Sequence, residues 1–477
     1  MSSGETTIEL IRLFVLLVGA AALVTILASR INLPYTVALV GFGIFAGAIA
    51  QPLRLEITPQ LVLVVLLPAL IFEASYQTDF AKLRPSLGGV ALLAGPGVLV
   101  SAAIIAAALC LGAGLAWPEA FVVGAMLSAT DPAAVIATFK KLHTPRRLAT
   151  LVEAESVFND GTGIVIFAIA VDFVVRPVGP AEVGITFLSV VAFSAALGAA
   201  AGFVASRILP NVGDHLIEIS LSVVLAYGTY LTADALDLSG VIATAVAGIV
   251  LGNYGRRLGL SKRTEEALDT VWEFVAFLAT AFVFLVVGFA ITVRSLADVA
   301  VPIAWAIAAT LIGRAVIVYG LLGGWRLARR AWRTRNRRAA AAVRAAPAVA
   351  VGAGPARTPA AAAANAAKKA KGPAANARDE GALPSEWLHV VFWSGLRGAV
   401  STALALSLPV DFPNRAALQG ITFGVVLFTL LVQATTADLV VGRWGRKDRS
   451  DSRAGRRSSA PPGPGEAVGE AGPGPTA

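Results

Sequence analysis

Two acidic clusters interrupt otherwise apolar sequence. Thr130-Asp131-Pro132 lies inside FVVGAMLSATDPAAVIATF, and Glu155, Ser156, Asn159 and Asp160 open the next apolar run within ESVFNDG. A charge at the centre of a membrane helix costs roughly 2.5–3.5 kcal/mol on insertion scales, so acids at that depth mark an ion or proton pathway. Pro132 has no amide hydrogen, which leaves the Ser128 carbonyl without its helical partner and pushes Asp131 away from α geometry. The helix is therefore expected to break at the acid. Broken ends inside a bilayer offer free carbonyls to cations and free amides to anions. A plainer reading, a proline kink with Asp131 as the N-cap of the half-helix that follows, is compatible with this.

In ESVFND the spacing sets Glu155 with Asn159, and Ser156 with Asp160, on neighbouring strips of one helix. Asp160 falls about 12 residues past the start of its apolar run, roughly 18 Å deep at 1.5 Å per residue, near the middle of a hydrocarbon core about 30 Å thick. It can hold a proton or bind a hard monovalent cation through oxygen. Glu155 suits a structural ion pair, and Arg397 in WSGLRGAVS is available as its buried partner. Glu73, in LLPALIFEASY, stands toward the cytoplasmic end of the third apolar run, where it can coordinate the ion, the favoured reading, or snorkel to the interface. Arg314, in LIGRAVIVY, reads as a structural counter-charge. His143, His215 and His389 read as ordinary interfacial residues.

These residues must be held by membrane helices. Hydrophobic residues make up 56% of the 477-residue chain and charged residues only 14%, against roughly 25% charged in soluble domains; mean hydropathy is +0.74. The fold class is thus an all-α polytopic membrane protein. Apolar stretches near 8–29, 34–50, 58–76, 86–113, 118–139, 148–174, 182–208, 216–235, 238–254, 268–292, 299–325, 386–408 and 414–437 give about 13 transmembrane helices. The broken fifth span and the GLRG-bearing twelfth are seven apart, as inverted repeats of spans 1–6 and 8–13 about a linking seventh require. Loops after odd-numbered spans carry twelve Lys and Arg residues. The alternate loops carry four, Arg54, Arg176, Arg294 and Arg415, which puts the N-terminus outside and the C-terminus in the cytoplasm.

The net charge of +9 is concentrated. Residues 326–385 hold 13 basic and 2 acidic residues, and residues 441–477 hold 7 and 4, leaving 19 basic and 24 acidic in the rest. An acidic membrane body suits a cation substrate. The division expected is transmembrane helices 1–11 over 1–325, a basic disordered cytoplasmic linker over 326–385 that is helical at most in its first turns, helices 12–13 over 386–440 and a disordered cytoplasmic tail over 441–477. The linker's basic cluster can mainly enforce topology or lie against anionic lipid. Glu5 and Glu9 precede the first basic residue, Arg12, the wrong order for a cleaved signal peptide. With Cys110 alone, no disulfide can form within the chain. No phosphate-cradling Gly-Lys-Ser/Thr loop or metal-ligand cluster occurs, so ion gradients are the expected energy source. No cofactor, no enzymatic activity and no nucleic-acid partner is expected. Short external loops disfavour a membrane-embedded enzyme, and acids gathered at one depth disfavour a channel.

In order along the chain, LLPALIFEASY, SATDPAAVIATFKKL, LVEAESVFNDGTGIVIF and SGLRGAVSTALAL resemble the first monovalent cation:proton antiporter family, which includes the NhaP-type bacterial Na+/H+ antiporters and the eukaryotic sodium/hydrogen exchangers. The likeness covers about residues 8–437. It implies a multi-pass protein of the cell membrane with spans 5 and 12 unwound and crossing, and a homodimer whose core domains move against a dimerisation domain. It implies a cation site of Asp160, Ser156, Glu73 and the Thr130 carbonyl, with Asp131 and Asn159 shaping it, and a structural Glu155–Arg397 ion pair. Na+ or Li+ is expected to exchange for H+, with cation and proton competing for Asp160; K+ is the alternative cation.

Overall fold

The structure, a computed structural model, describes residues 3–31, 33–49, 61–83, 87–175, 180–258, 260–290, 293–345 and 384–445. Among these, every regular element is helical. The main helices are α1 (Ser3–Arg30), α2 (Tyr35–Ile49), α3 (Leu67–Gln77), α4 (Val98–Ala113), α5 (Trp117–Met126), α6 (Ala133–Lys141), α7 (Arg146–Val175), α8 (Pro180–Ile208) and α9 (His215–Asp234). They continue with α10 (Gly240–Val250), α11 (Lys262–Ala290), α12 (Ala300–Ala315), α13 (Gly323–Ala345), α14 (Ser385–Trp393), α15 (Ala399–Leu406), α16 (Arg415–Phe428) and α17 (Thr435–Trp444). Wider π-type turns extend several of them, as at Leu61–Leu66 before α3 and Val316–Leu322 between α12 and α13. Among the described residues seven helices are long and apolar enough to cross a membrane, and three shorter apolar ones, Val15–Arg30, Tyr35–Ile49 and Val62–Gln77, accompany them.

The helices gather into two bundles. One comprises α1–α3 and α8–α11, the other α4–α7 and α12–α17, and they meet chiefly where α7 packs on α8 and α10 and where α15 packs on α11. Lipid gives helices no hydrophobic reason to associate, so close backbone contact between small residues must do that work. Gly43 on α2 and Gly288 on α11 show it: a Cβ on either would fall 2.6 Å from the Leu285 carbonyl or 2.4 Å from that of Val40.

Two spans are interrupted. α5 stops at Met126 and α6 resumes at Ala133, the Pro132 break expected from sequence; α14 stops at Trp393 and α15 resumes at Ala399, across Gly395 and Gly398. Another expectation needs correction. The segment read as a disordered linker from residue 326 is helical as far as Ala345, because α13 continues from α12 through the π turn. Arg54, Arg84 and Arg176 of the loop-charge count, the linker beyond Ala345 up to residue 383 and the tail beyond Gly445 lie outside the described residues.

Candidate functional site

The two interruptions cross, and each supplies what the other's broken ends lack. A helix end leaves carbonyls at its C-terminus and amides at its N-terminus without intrahelical partners. At the open C-terminal end of α5, the Arg397 guanidinium donates from one nitrogen to the carbonyls of Ser128 and Ala129, each at 2.9 Å. At the N-terminus of α15, Ala399 N–H donates to Asp131 Oδ2 at 3.1 Å. The Asp131 amide donates to the Leu396 carbonyl at 2.9 Å, which ties the two loops main chain to main chain. A cation on a helix C-terminus and an anion on an N-terminus are both favoured by the helix dipoles. Asp131 is thus an N-terminal cap, but of the crossing half-helix; Pro132, at the cap of its own α6, makes no side-chain capping bond.

α7 runs beside the crossing and presents its polar strip to it. Ser156 Oγ donates to the Thr130 carbonyl, and Asn159 Nδ2 donates to Thr130 Oγ1 at 3.1 Å. The Thr130 backbone amide donates to the Asp160 carboxylate, and the charges acting on Asp160 are Asp131 and Arg397. Asp160 is only 9% exposed. Its Oδ1 and the Oδ1 of Asn159 are buried without a hydrogen-bond partner. A buried carboxylate oxygen left open is a costly arrangement unless something positive meets it. These oxygens fit a hard monovalent cation or a proton. No cluster of three or more His, Cys, Asp or Glu side chains that could hold a metal ion occurs among the described residues.

The expected Glu155–Arg397 pair is not formed. Glu155 is bonded through both carboxylate oxygens to Arg314 of α12, with Arg314 NH1 on Oε1 and NH2 on Oε2. Arg314 NH2 also donates to the Val391 carbonyl near the end of α14 at 2.7 Å. The physical reason is that Arg397 is committed to the helix-end carbonyls, while Arg314, equally buried, reaches Glu155 with a two-pronged fork suited to carboxylate. Arg314 was legible in the sequence as a counter-charge, but nothing in its spacing identified the charge it counters.

The chain matches the family described as sodium/hydrogen exchanger, transmembrane, over residues 18–442. It is 36% identical over 433 residues to the Na+/H+ antiporter ApNhaP of Aphanothece halophytica, covering 90% of this chain and 73% of that one. To the Na+/H+ antiporter NhaH of Halobacillus aidingensis it is 31% identical over 444 residues, covering 90% and 96%. The chain belongs to the sodium/hydrogen exchanger family. The solved structure of the sodium proton antiporter MjNhaP1 from Methanocaldococcus jannaschii at pH 8 shares the fold, with a TM-score of 0.69 at 17% identity over 92% of this chain and 100% of that one.

Not every sequence-derived residue joins the exchanger's crossing. Glu73 on α3 accepts from Gln77 Nε2 at 2.7 Å, and the charges acting on it are Glu273, Lys140, Glu153 and Asp269. The structure therefore brings Thr130, Asp131, Ser156, Asn159 and Asp160 together and leaves Glu73 on a neighbouring helix. Thr429 went unnoticed in the sequence: its hydroxyl accepts from the Arg397 amide at 3.1 Å and fixes the loop that aims the guanidinium. A threonine within an apolar run gives no local signal of such a role. His389 is exposed and bonds Tyr319 through Nδ1 at 2.9 Å, and His143 and His215 stand at element ends.

Proposed function

We infer that this chain is a secondary antiporter that exchanges Na+ for H+ across the membrane, with cation and proton competing for Asp160. The observation that carries the reading is the open Asp160 Oδ1, buried without a hydrogen-bond partner where α7 meets the crossing of two broken helices. Names of the relatives at 31–36% identity support sodium as the cation. With Asp160 bare, the bundle holding α4–α7 and α12–α17 carries an unneutralised charge and cannot cross apolar surroundings cheaply. With Na+ or H+ bound, it can. Exchange follows because the site returns only when loaded, with no step in which both ions are present.

Ser156 and the Thr130 carbonyl serve as direct ligands in this scheme, Asn159 shapes the site, and Glu73 completes the ligand set from α3 when the bundles shift. The protein works as a homodimer of 13-span subunits in the cell membrane, the N-terminus outside and the C-terminus in the cytoplasm. Li+ is carried in place of Na+; K+ is not favoured.

The test is dissipation of an imposed pH gradient in proteoliposomes on separate addition of Na+, Li+ and K+. Rapid dissipation with Na+ and Li+ and little with K+ is the expected result. Dissipation by K+ alone, or by none of the three, overturns the reading.

A further inference from the structure

The longest departure from the apolar bundles is α13. It continues α12 out of the membrane, and its seat is fixed: Trp325 packs where a Cβ on Gly88 would come within 2.7 Å of its ring, and Arg329 lies over the same ring at 4.6 Å. Beyond that point the sequence reads RLARRAWRTRNRR, in which Arg326, Arg329, Arg330, Arg333 and Arg337 recur at the three-, four- and seven-residue spacings of one helix face. Trp325, Ala328, Trp332, Ala339 and Val343 recur on another, which Arg335 shares. Leu327 and Trp332 are 61% and 63% exposed although both are apolar. An arm built only to stand in water has no use for an exposed tryptophan and leucine.

We propose that α13 is an interfacial arm that docks on anionic lipid headgroups at the membrane surface from which it emerges. Arginine on one face with tryptophan and aliphatic residues on another is the composition of helices that lie at a membrane interface. From Ala300 to Trp325 the helix spans about 39 Å at ~1.5 Å per residue, more than the hydrocarbon core of about 30 Å, so the basic stretch beyond Trp325 emerges at the membrane surface, where headgroup charge lies within a screening length of ~8 Å. Basic residues held there are drawn to an anionic surface, and several act together. The arm belongs to the same continuous helix as Arg314, so docking also steadies the helix that holds Glu155.

The experiment uses the full chain with a single reporter: Asn336→Cys in a Cys110→Ser background, labelled with an environment-sensitive fluorophore and reconstituted in vesicles whose two leaflets have one composition. Phosphatidylcholine vesicles are compared with vesicles containing phosphatidylglycerol, using acrylamide, a neutral quencher. Docking predicts a blue shift and a drop of about twofold or more in quenching with the anionic lipid, reversed by high salt. Arg330, Arg333, Arg335 and Arg337, all replaced by Gln, should abolish the lipid dependence while Na+-driven exchange persists. Quenching that is equal in both lipids, or a drop that survives the glutamine variant, identifies a solvated arm and overturns the proposal.

Discussion

The Asp131 carboxylate caps a helix that is not its own, accepting the Ala399 amide at 3.1 Å across the crossing. In return, Arg397 of that second interruption closes the carbonyl end of α5, so each break is completed by the other. Close approach at this point depends on Gly398, where a Cβ would lie 2.1 Å from Asp131 Oδ2. Gly398→Ala is therefore expected to push the two loops apart, at about 1–3 kcal/mol for overpacking a tight site, and to cut exchange severely. Thermal unfolding in detergent and Na+-driven pH change in proteoliposomes measure the two effects. Wild-type behaviour in both would mean that the loops do not need this contact.

Asp160→Asn removes the group proposed to hold either ion while keeping its size. Cation-dependent proton movement should fall to the level of empty liposomes, with folded yield and elution profile unchanged. The distinguishing measurement is exchange at matched protein density, since substantial residual exchange would place the exchanging carboxylate elsewhere.

Arg314→Ala strands Glu155, which is 1% exposed, as a buried charge without its partner. Losing one member of a buried pair costs roughly 3–5 kcal/mol. The melting temperature and folded yield should drop sharply, and adding Glu155→Leu should recover much of the loss by removing the stranded charge. A double variant no more stable than Arg314→Ala would show that Arg314 acts chiefly through the Val391 carbonyl, which it also bonds at 2.7 Å.

What could be read along the chain follows from how local its causes are. The break at Pro132 and the mid-membrane depth of Asp160 depend on covalent chemistry and on rise per residue, and both are visible in sequence. The partner of Glu155 depends on which of two arginines, 159 or 242 positions away, reaches it across the bundle, and sequence spacing carries no such information. Composition misled at α13 for a different reason: alanine and arginine are strong helix formers, and α13 needs no buried apolar face of its own because it inherits a nucleus from α12. Thr429 was invisible because its role exists only once the Arg397 loop lies against α16 and its π turn.

Stoichiometry rests on how the remaining acids are spent. Asp131 is committed to the Ala399 amide, Glu155 is held by Arg314, and Glu73 stands on α3, outside the crossing. Residue 159, beside the exchanging acid, is an amide that donates to Thr130 Oγ1 at 3.1 Å and carries no titratable proton. Among the described residues, Asp160 Oδ1 is the buried carboxylate oxygen left without a hydrogen-bond partner, so the expectation is one proton exchanged for one Na+ with no net charge crossing. An uncompensated charge would couple to voltage by about 2.3 kcal/mol per 100 mV, an effect too large to miss. In proteoliposomes with a potassium-valinomycin potential, the balance point of Na+-driven pH change should stay put as the potential is varied. A balance point that moves with voltage would require a second titrating group and would rule out one-for-one exchange at Asp160.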